Sequence, residues 1–280
     1  MAVEKLPPLQ DYLRTKKKFP TVWCPGCGIG IVLGGVIRGV ARLKLNKDEV
    51  ALLSGIGCTG RMPVYADFNT LHTTHGRALT FATGLKLARP GLKVIVVMGD
   101  GDALAIGGNH FIHAARRNLD LTAIVVNNGI YGMTGGQQSP TTPLSARAIT
   151  TPYGNIDQPF DVCFLAKAAG ASFVARTTTY HAGEVERLVA RAINKKGFAV
   201  VEILSQCPVF YGKMNQGQNA VEMLRWFRDN TSTQSVAGKI RRGILVDQDL
   251  PEYLGEYQKL VGRAQEKKSV RKRMAAGASK

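Results

Sequence analysis

The sequence predicts an α/β fold in which a mostly parallel sheet carries helices on both faces. Five short apolar runs have the length and β-branched content of strands; they cover residues 51–57, 93–98, 121–126, 172–175 and 198–204. Segments with helical periodicity lie between them. The strand runs are nearly continuous in apolar residues, which is typical of strands buried on both faces of a parallel sheet.

The first half of the chain begins with a helix and continues with three strands. Apolar residues recur at helical spacing over residues 29–43, and residues 109–118 also fit a helix. The run 51–57 ends in glycines, the run 93–98 ends at Gly-Asp-Gly, and the run 121–126 ends at Asn-Asn-Gly. Ligands of such sheets bind at the carboxyl ends of the strands, so these three ends are the expected binding edge.

The second half adds two strands, at residues 172–175 and 198–204, with a helical pattern between them. Its apolar positions are Val185, Leu188, Val189 and Ile193. Residues 208–245 are rich in Asn, Gln, Ser and Gly, and they are expected to form an irregular arm. A helical stretch follows at 253–267. The expected division is a basic N-terminal segment (1–20), one α/β domain (21–207), and a C-terminal arm with a basic tail (208–280).

Composition excludes several classes of protein. Apolar residues make up 45% of the 280 residues and charged residues 20%, so a disordered or fibrous protein is excluded. No apolar run approaches the roughly 18 residues that a membrane span requires. The N-terminus has no apolar signal segment, and we expect a cytoplasmic protein with reduced thiols.

The net charge of +17 is concentrated at the chain ends. Residues 259–280 contain eight Lys and Arg against one acid, Glu266, and residues 1–20 add a charge of +3. Such ends favour contact with an acidic partner, although a merely solvated tail is the alternative. Nucleic acid is not expected as the partner, because no binding motif accompanies the charge.

Acidic and amide side chains follow two of the predicted strands. Asp100 lies in Gly-Asp-Gly-Asp, and Asn128, 28 positions later, lies in Asn-Asn-Gly-Ile. One strand–helix–strand crossover separates them, so both should lie at the same edge of the sheet. Carboxylate and amide oxygens suit Mg²⁺, which takes its remaining ligands from water and phosphate. The bland alternative is a pair of ordinary polar turns.

Four of the five cysteines occupy loops or strand ends. Cys24 and Cys27 form a Cys-Pro-Gly-Cys turn before a helix, while Cys58 and Cys207 each follow a predicted strand. Four thiolates suit either zinc or a [4Fe–4S] cluster, and the chemistry of the ligands leaves both open. Cys163 has apolar neighbours and is expected to be a core thiol.

The run GDGDALAIGGNHFIHAARRNLDLTAIVVNNGIYGMTGGQ resembles the β subunits of 2-oxoacid:ferredoxin oxidoreductases, which are thiamine-diphosphate enzymes. The motifs CPGCG, IGCTGR and a C-terminal Cys-Pro belong to the same resemblance. It implies the diphosphate-binding domain of the thiamine-diphosphate fold. It also implies that Cys24, Cys27, Cys58 and Cys207 hold one [4Fe–4S] cluster.

The resemblance further implies how the cofactor is held. Mg²⁺ would be bound by Asp100, by the Asn128 side chain and by the backbone carbonyl of Ile130. The residues that would line the diphosphate and thiazolium are Ile56, Gly57, Cys58, Thr59, Gly101, Asp102, Gly132 and Met133. Because Cys58 is on both sets, one loop would touch the cofactor and the cluster.

Three further residues would face the substrate. By resemblance, His72 and His75 of the HTTHGRA run border the active site, and Arg61 meets the substrate. An arginine suits a second, distal carboxylate, which favours 2-oxoglutarate over pyruvate. The alternatives are structural histidines, and an Arg61 paired with a structural acid or a carbonyl.

The reaction implied is 2-oxoacid, CoA and oxidised ferredoxin to acyl-CoA, CO₂ and reduced ferredoxin, reversible in some members of the family. The pyrimidine-binding half of the cofactor site is missing from this chain. The resemblance places it on an α subunit, so we expect an αβ or doubled αβ assembly. Two rival classes are a non-redox thiamine-diphosphate decarboxylase or lyase with a structural zinc site, and a zinc-stabilised binding module.

Overall fold

The computed structural model describes residues 9–14, 19–215 and 219–277. A seven-stranded sheet forms the centre of the chain. Its strands are Val50–Ser54 (β1), Asn69–His72 (β2), Lys93–Gly99 (β3), Thr122–Asn127 (β4), Phe173–Thr178 (β7), Ala199–Leu204 (β8) and Gly243–Asp247 (β11). Their order across the sheet is β11-β7-β8-β4-β3-β1-β2. Six of the strands are parallel to one another, and β11 pairs antiparallel with β7 at one edge.

Short strand pairs lie outside this sheet. Ile130–Tyr131 (β5) pairs with Gln137–Gln138 (β6), and Thr231–Ser232 (β9) pairs with Ile240–Arg241 (β10). The α-helices are Ile29–Arg42 (α1), Ala78–Ala88 (α2), Asp100–Leu104 (α3), Gly108–Arg116 (α4), Val162–Ala168 (α5), Ala182–Asn194 (α6), Ala220–Asn230 (α7) and Tyr253–Gly277 (α8). Within the described ranges, no helix has the length and apolarity needed to cross a membrane.

Two apolar cores cover the two faces of the sheet. Helices α1 and α6 pack on one face, and α2, α4 and α5 pack on the other. Successive strand residues point to opposite faces, so Val97 joins the first core and Val96 the second. Both faces of the central strands are therefore buried, which explains their continuous apolar runs.

The five predicted strands are confirmed, as is the parallel sheet with helices on both faces. The prediction that residues 208–245 are irregular is wrong, because they contain α7 and the edge strand β11. A capping box starts α7: the Asn219 side chain accepts from the backbone N–H groups of Val221 and Glu222, and the Glu222 carboxylate accepts from the Asn219 N–H. This Asn-x-x-Glu signal is present in the sequence, but the polar composition around it obscured it.

The two basic ends of the chain lie partly within the described residues. The helix predicted at 253–267 is present as the start of α8, and its side chains from Glu256 to Ser269 are largely exposed. Lys16, Lys17, Lys18 and Lys280, which contribute to the predicted basic ends, lie outside the described residues.

Lys86 of α2 forms a buried ion pair with Asp120, and we expect this pair to contribute to stability. Lys86 and Asp120 are both buried, with 2.8 Å between Lys86 Nζ and Asp120 Oδ2. Because Asp120→Ala leaves a buried ammonium without its carboxylate, we expect the free energy of unfolding to fall by about 3 kcal/mol. Urea unfolding measures the change. The matched control is Asp249→Ala, which removes a fully exposed partner of Lys195 and should leave stability nearly unchanged. Equal effects of the two variants would contradict the prediction.

Candidate active site

The carboxyl ends of four parallel strands bring the predicted site residues to one edge of the sheet. The segment carrying Cys58 follows β1, Asp100 follows β3, Asn128 follows β4, and Cys207 follows β8. Strands β1, β3, β4 and β8 are adjacent in the sheet order. The binding edge predicted from the sequence is thus the edge that the fold builds.

Asp100 is a buried carboxylate held by hydroxyl groups. Its Oδ2 accepts hydrogen bonds from Ser139 Oγ at 2.6 Å and from Thr141 Oγ1 at 2.5 Å. Burial raises the pKa of Asp100, and the two hydroxyls act against that rise. No basic side chain of the described residues pairs with it. A buried carboxylate that lacks a cation of its own fits a divalent metal ion.

The two asparagines after β4 have different roles. Asn127 is engaged at both ends: its Nδ2 donates to Glu202 Oε1 at 2.8 Å, and its Oδ1 accepts from the backbone N–H of Gly129 at 3.2 Å and lies 2.9 Å from Thr141 Oγ1. Among the described residues, the side chain of Asn128 makes one hydrogen bond, which it accepts from the N–H of Ile130 at 3.2 Å. Asn127 therefore holds the loop in place, and Asn128 is the asparagine that remains available to a ligand.

Tyr131 packs directly on the Gly-Asp-Gly turn. Its hydroxyl donates to the carbonyl of Gly101 at 3.2 Å, and a methyl group at Gly101 would overlap its ring. Burial, together with Asp100 and Asp102, raises the pKa of this tyrosine. Gly101 is therefore required by this close approach. Gly132 and the half-exposed Met133 follow Tyr131 and lie on the same loop.

Asp102 is buried and binds His75 rather than facing solvent. Its Oδ1 lies 2.5 Å from His75 Nδ1 and also accepts from the backbone N–H of Gly76 at 2.7 Å. The N–H of Ile56, on the loop after β1, donates to the same oxygen at 3.3 Å. Asp102 thus ties the histidine segment to the cysteine loop.

The other substrate-facing candidates lie beside the same loop. His72 Nδ1 lies 2.9 Å from Ser54 Oγ, and Ser54 Oγ donates to the carbonyl of Gly60. Because that hydroxyl has only one hydrogen, the ring N–H of His72 is the donor to Ser54. Arg61 lies on the 3₁₀ helix Thr59–Val64. Its guanidinium has no ion-pair or hydrogen-bond partner among the residues that the structure describes. The structural acid considered as its alternative partner is therefore not present within that part of the chain.

Three segments bring the four cysteines together. Cys27 N–H donates to the Cys24 carbonyl at 3.0 Å in a turn that Gly26, with φ of +80°, allows. The indole of Trp23 donates to the Cys58 carbonyl at 2.8 Å. Gln206, next to Cys207, ties the third segment to the first. Its side-chain amide donates to the Gly26 carbonyl, and its backbone carbonyl accepts from the Gly28 N–H.

Two of the sulfur atoms border the loop that carries Gly132 and Met133. A methyl group placed at Gly132 would lie 3.6 Å from Cys58 Sγ and 3.7 Å from Cys207 Sγ. Burial raises the pKa of Cys27 to about 12 and that of Cys58 to about 11, and the neighbouring thiols act in the same direction. No three of the four sulfurs, all of which lie in the described chain, fall within 4.8 Å of one another. The four thiols therefore form one group, in which no three have the close spacing of ligands around a single metal ion.

Several of these residues could not be assigned from the sequence. Ser139, Thr141, Trp23 and Gln206 carry no motif, and each acts through a contact with a residue far along the chain. Cys163 is a buried thiol, as predicted, and donates to Glu202 Oε2 at 3.2 Å.

Comparisons with known proteins identify the family of this chain. The family model described as thiamine pyrophosphate enzyme, C-terminal TPP binding domain, matches residues 54–203. The 2-oxoglutarate synthase subunit KorB of Archaeoglobus fulgidus is 50% identical over 251 residues, which are 90% of this chain and 89% of that protein. The subunit of the same name from Methanocaldococcus jannaschii is 45% identical over 91% of this chain and 97% of its own length.

A solved structure extends the likeness to three dimensions. It is the 2-oxoglutarate:ferredoxin oxidoreductase from Magnetococcus marinus with 2-oxoglutarate, coenzyme A and succinyl-CoA bound. Its TM-score is 0.83 at 36% identity, and the match covers 92% of this chain and 90% of that one. On the strength of the site, the family model and these relatives, the chain belongs to the β-subunit family of the 2-oxoacid:ferredoxin oxidoreductases, within the thiamine-diphosphate enzymes.

Proposed function

We propose that this chain is the β subunit of an enzyme that oxidatively decarboxylates 2-oxoglutarate with coenzyme A and passes the electrons through a [4Fe–4S] cluster to ferredoxin. One observation carries the proposal: Gly132, on the loop expected to line the cofactor, lies against the sulfurs of Cys58 and Cys207. A carbon-centred electron donor and a one-electron acceptor would thus be neighbours in one polypeptide.

The Asp100 pocket supports thiamine diphosphate with Mg²⁺. Asp100, Asn128 and the carbonyl of Ile130 would hold the cation, and Ser139 and Thr141 keep the Asp100 carboxylate oriented. When bound, thiamine diphosphate supplies the electron sink for decarboxylation, and an iron–sulfur cluster accepts the released electrons singly. The chain's own part is to bind and orient both groups.

The spacing of the thiols supports a cluster rather than a single zinc ion. Zinc–sulfur bonds are about 2.3 Å long, so four thiolates around one zinc lie roughly 3.8 Å apart. No three of the four thiols lie within 4.8 Å of one another in the described chain, so no three of them have the spacing of ligands around one zinc ion. A four-iron cage needs such a wider arrangement, because its cysteines bind different iron atoms. The alternative function, a non-redox thiamine-diphosphate lyase with a structural zinc site, would need a tighter group.

The names of the relatives support the choice of substrate and partners. Those named 2-oxoglutarate synthase, and the solved enzyme with 2-oxoglutarate and coenzyme A bound, match most of this chain. An α subunit would complete the cofactor site, because the matched domain accounts only for the diphosphate half. Ferredoxin would be the electron acceptor, and helix α8, which is basic in sequence and largely exposed from Glu256 to Ser269, offers charge for an acidic partner.

The experiment is an anaerobic purification of the chain with and without its α subunit. We expect a brown protein with iron and sulfide in both preparations, and 2-oxoglutarate- and CoA-dependent reduction of ferredoxin only in the complex. A colourless, zinc-loaded protein would favour the lyase alternative and contradict the proposal. Robust turnover by the chain alone would contradict the need for a partner.

Arg61 yields a prediction about specificity. A guanidinium without a protein partner can bind the distal carboxylate of 2-oxoglutarate, and a hydrogen bond to a charged group contributes about 1.5–3 kcal/mol. We therefore expect Arg61→Gln to lower kcat/KM for 2-oxoglutarate by about 10- to 100-fold while affecting pyruvate much less. Steady-state kinetics of the αβ complex measure both. Arg89→Gln, at an exposed arginine after α2, is the control. An equal loss of kcat/KM with both substrates would show that Arg61 does not bind the distal carboxylate.

A further inference from the structure

The buried carboxylate of Asp102 makes its closest side-chain contact with His75, not with solvent. Asp102 is 3% exposed, and its Oδ1 accepts from three donors: His75 Nδ1, the Gly76 N–H and the Ile56 N–H. Two backbone donors from different segments fix the position of this oxygen. The imidazole ring of His75 is the third donor to this oxygen.

This contact determines which ring nitrogen of His75 carries hydrogen. Asp102 Oδ1 already accepts from the backbone N–H groups of Gly76 and Ile56, so it is an acceptor, and the 2.5 Å contact is made by an Nδ1–H of His75. Nε2 is then the ring nitrogen with a free lone pair. It has no hydrogen-bond partner among the residues that the structure describes. The ring lies edge-on to Tyr131, with centroids 6.3 Å apart, and therefore borders the loop that continues into Gly132 and Met133.

The second oxygen of Asp102 strengthens the case. Asp102 Oδ2 is buried and lacks a hydrogen-bond partner within the described chain. A methyl group at Gly55 would overlap this oxygen, so the glycine after β1 is needed to admit the carboxylate. The buried carboxylate therefore depends on the ring N–H of His75 and on two backbone N–H groups for its hydrogen bonds within the described chain.

We propose that Asp102 is a positioning residue for His75, which it holds with Nδ1 protonated so that Nε2 can exchange a proton with the substrate or cofactor. The proposal deepens the proposed function, because the role of Nε2 presumes the thiamine-diphosphate site beside it. Asp102 then acts through the histidine, in addition to any contact with the cofactor itself.

The first measurement is made on the full chain labelled with ¹⁵N-histidine. The ¹⁵N shifts of the two ring nitrogens show which one carries hydrogen, and the signal lost in His75→Gln assigns the ring. We expect a protonated Nδ1 in the wild-type chain. Asp102→Ala removes the acceptor, and the ring should change to the Nε2–H form. A wild-type ring with a bare Nδ1, or an unchanged ring in Asp102→Ala, would overturn the proposal.

The second measurement uses the αβ complex. In Asp102→Asn, Oδ1 can still accept the Nδ1–H, so the tautomer should persist, while an amide oxygen replaces the carboxylate as a weaker acceptor for the ring. We expect kcat to fall about 100-fold with little change in KM for the 2-oxoacid. Asp249→Asn, at an exposed site, is the matched control. An unchanged kcat would overturn the role in catalysis.

The two arms separate the possible failures. The tautomer of His75 is a property of the chain itself and does not depend on the reaction catalysed. A protonated Nδ1 in a protein without ferredoxin-linked activity would contradict the proposed function and leave the positioning intact. A bare Nδ1 in an active enzyme would contradict the positioning alone.

Discussion

Cys58→Ser is expected to abolish ferredoxin reduction by the αβ complex and to leave the protein without its iron–sulfur chromophore. Cys58 Sγ and Cys207 Sγ both lie beside Gly132, so Cys58 would be a ligand on the side of the proposed cluster that faces the loop expected to line the cofactor. A serine oxygen is a harder and poorer ligand for iron than a thiolate. Loss of one of four ligands should therefore cost the cluster itself and, with it, the path of the electrons.

The fold should survive this substitution. The bond from Trp23 to residue 58 uses the backbone carbonyl, and Cys58 caps the 3₁₀ helix Thr59–Val64 without a side-chain hydrogen bond. The measurements are iron and sulfide content, the visible spectrum, ferredoxin reduction, and thermal unfolding. The matched control is Cys163→Ser, at the buried cysteine outside the group, where a hydroxyl can still donate to Glu202. Full iron content and activity in Cys58→Ser would contradict the assignment of this ligand.

Asp100→Asn is expected to separate stability from cofactor binding. Burial raises the pKa of Asp100, so its negative charge disfavours the cation-free fold, and a neutral amide should leave that fold as stable or more stable. The same change removes the only carboxylate among the proposed magnesium ligands. A bound metal ion contributes several kcal/mol to stabilising charge in the transition state. Because the variant should lose that contribution, we expect cofactor-dependent activity to fall about 1,000-fold.

Calorimetric titration with Mg²⁺ and thiamine diphosphate, urea unfolding of the cofactor-free chain, and activity of the αβ complex test this prediction. Asp48→Asn, at an exposed aspartate, is the control for the loss of one charge. A variant that is destabilised without the cofactor yet binds it normally would show that Asp100 is a structural residue and not a metal ligand.

Local patterns in the sequence were sufficient for much of the fold. The strands Lys93–Gly99 and Thr122–Asn127 were predicted to within one residue at either end. A short, continuous β-branched run favours a buried strand, and the glycine or asparagine that follows it marks where the strand ends. The cysteines and the Asp100–Asn128 pair were found for a related reason. Their chemistry is rare enough in sequence, and their spacing regular enough, to indicate a site.

Other elements could be found only in three dimensions. The edge strand Asn69–His72 is polar and exposed, and it is a strand because it pairs with Val50–Ser54. Strand Gly243–Asp247 likewise depends on pairing with Phe173–Thr178, about seventy residues earlier in the chain. The sequence shows no strand pattern at Asn69–His72, and the Ile-Leu-Val run of Gly243–Asp247 is only three residues long in a polar stretch.

The division of roles within the site also rests on tertiary contacts. The sequence alone predicted which residues are chemically suited to bind a cofactor, metal ions and a substrate. Only the folded chain decided that Asn127 turns to Glu202 while Asn128 stays available, and that Asp102 binds His75. The physical reason is that a side chain's function depends on the partner it meets. These partners come from distant segments that the sheet order brings together, whereas periodicity and spacing report only on neighbours along the chain.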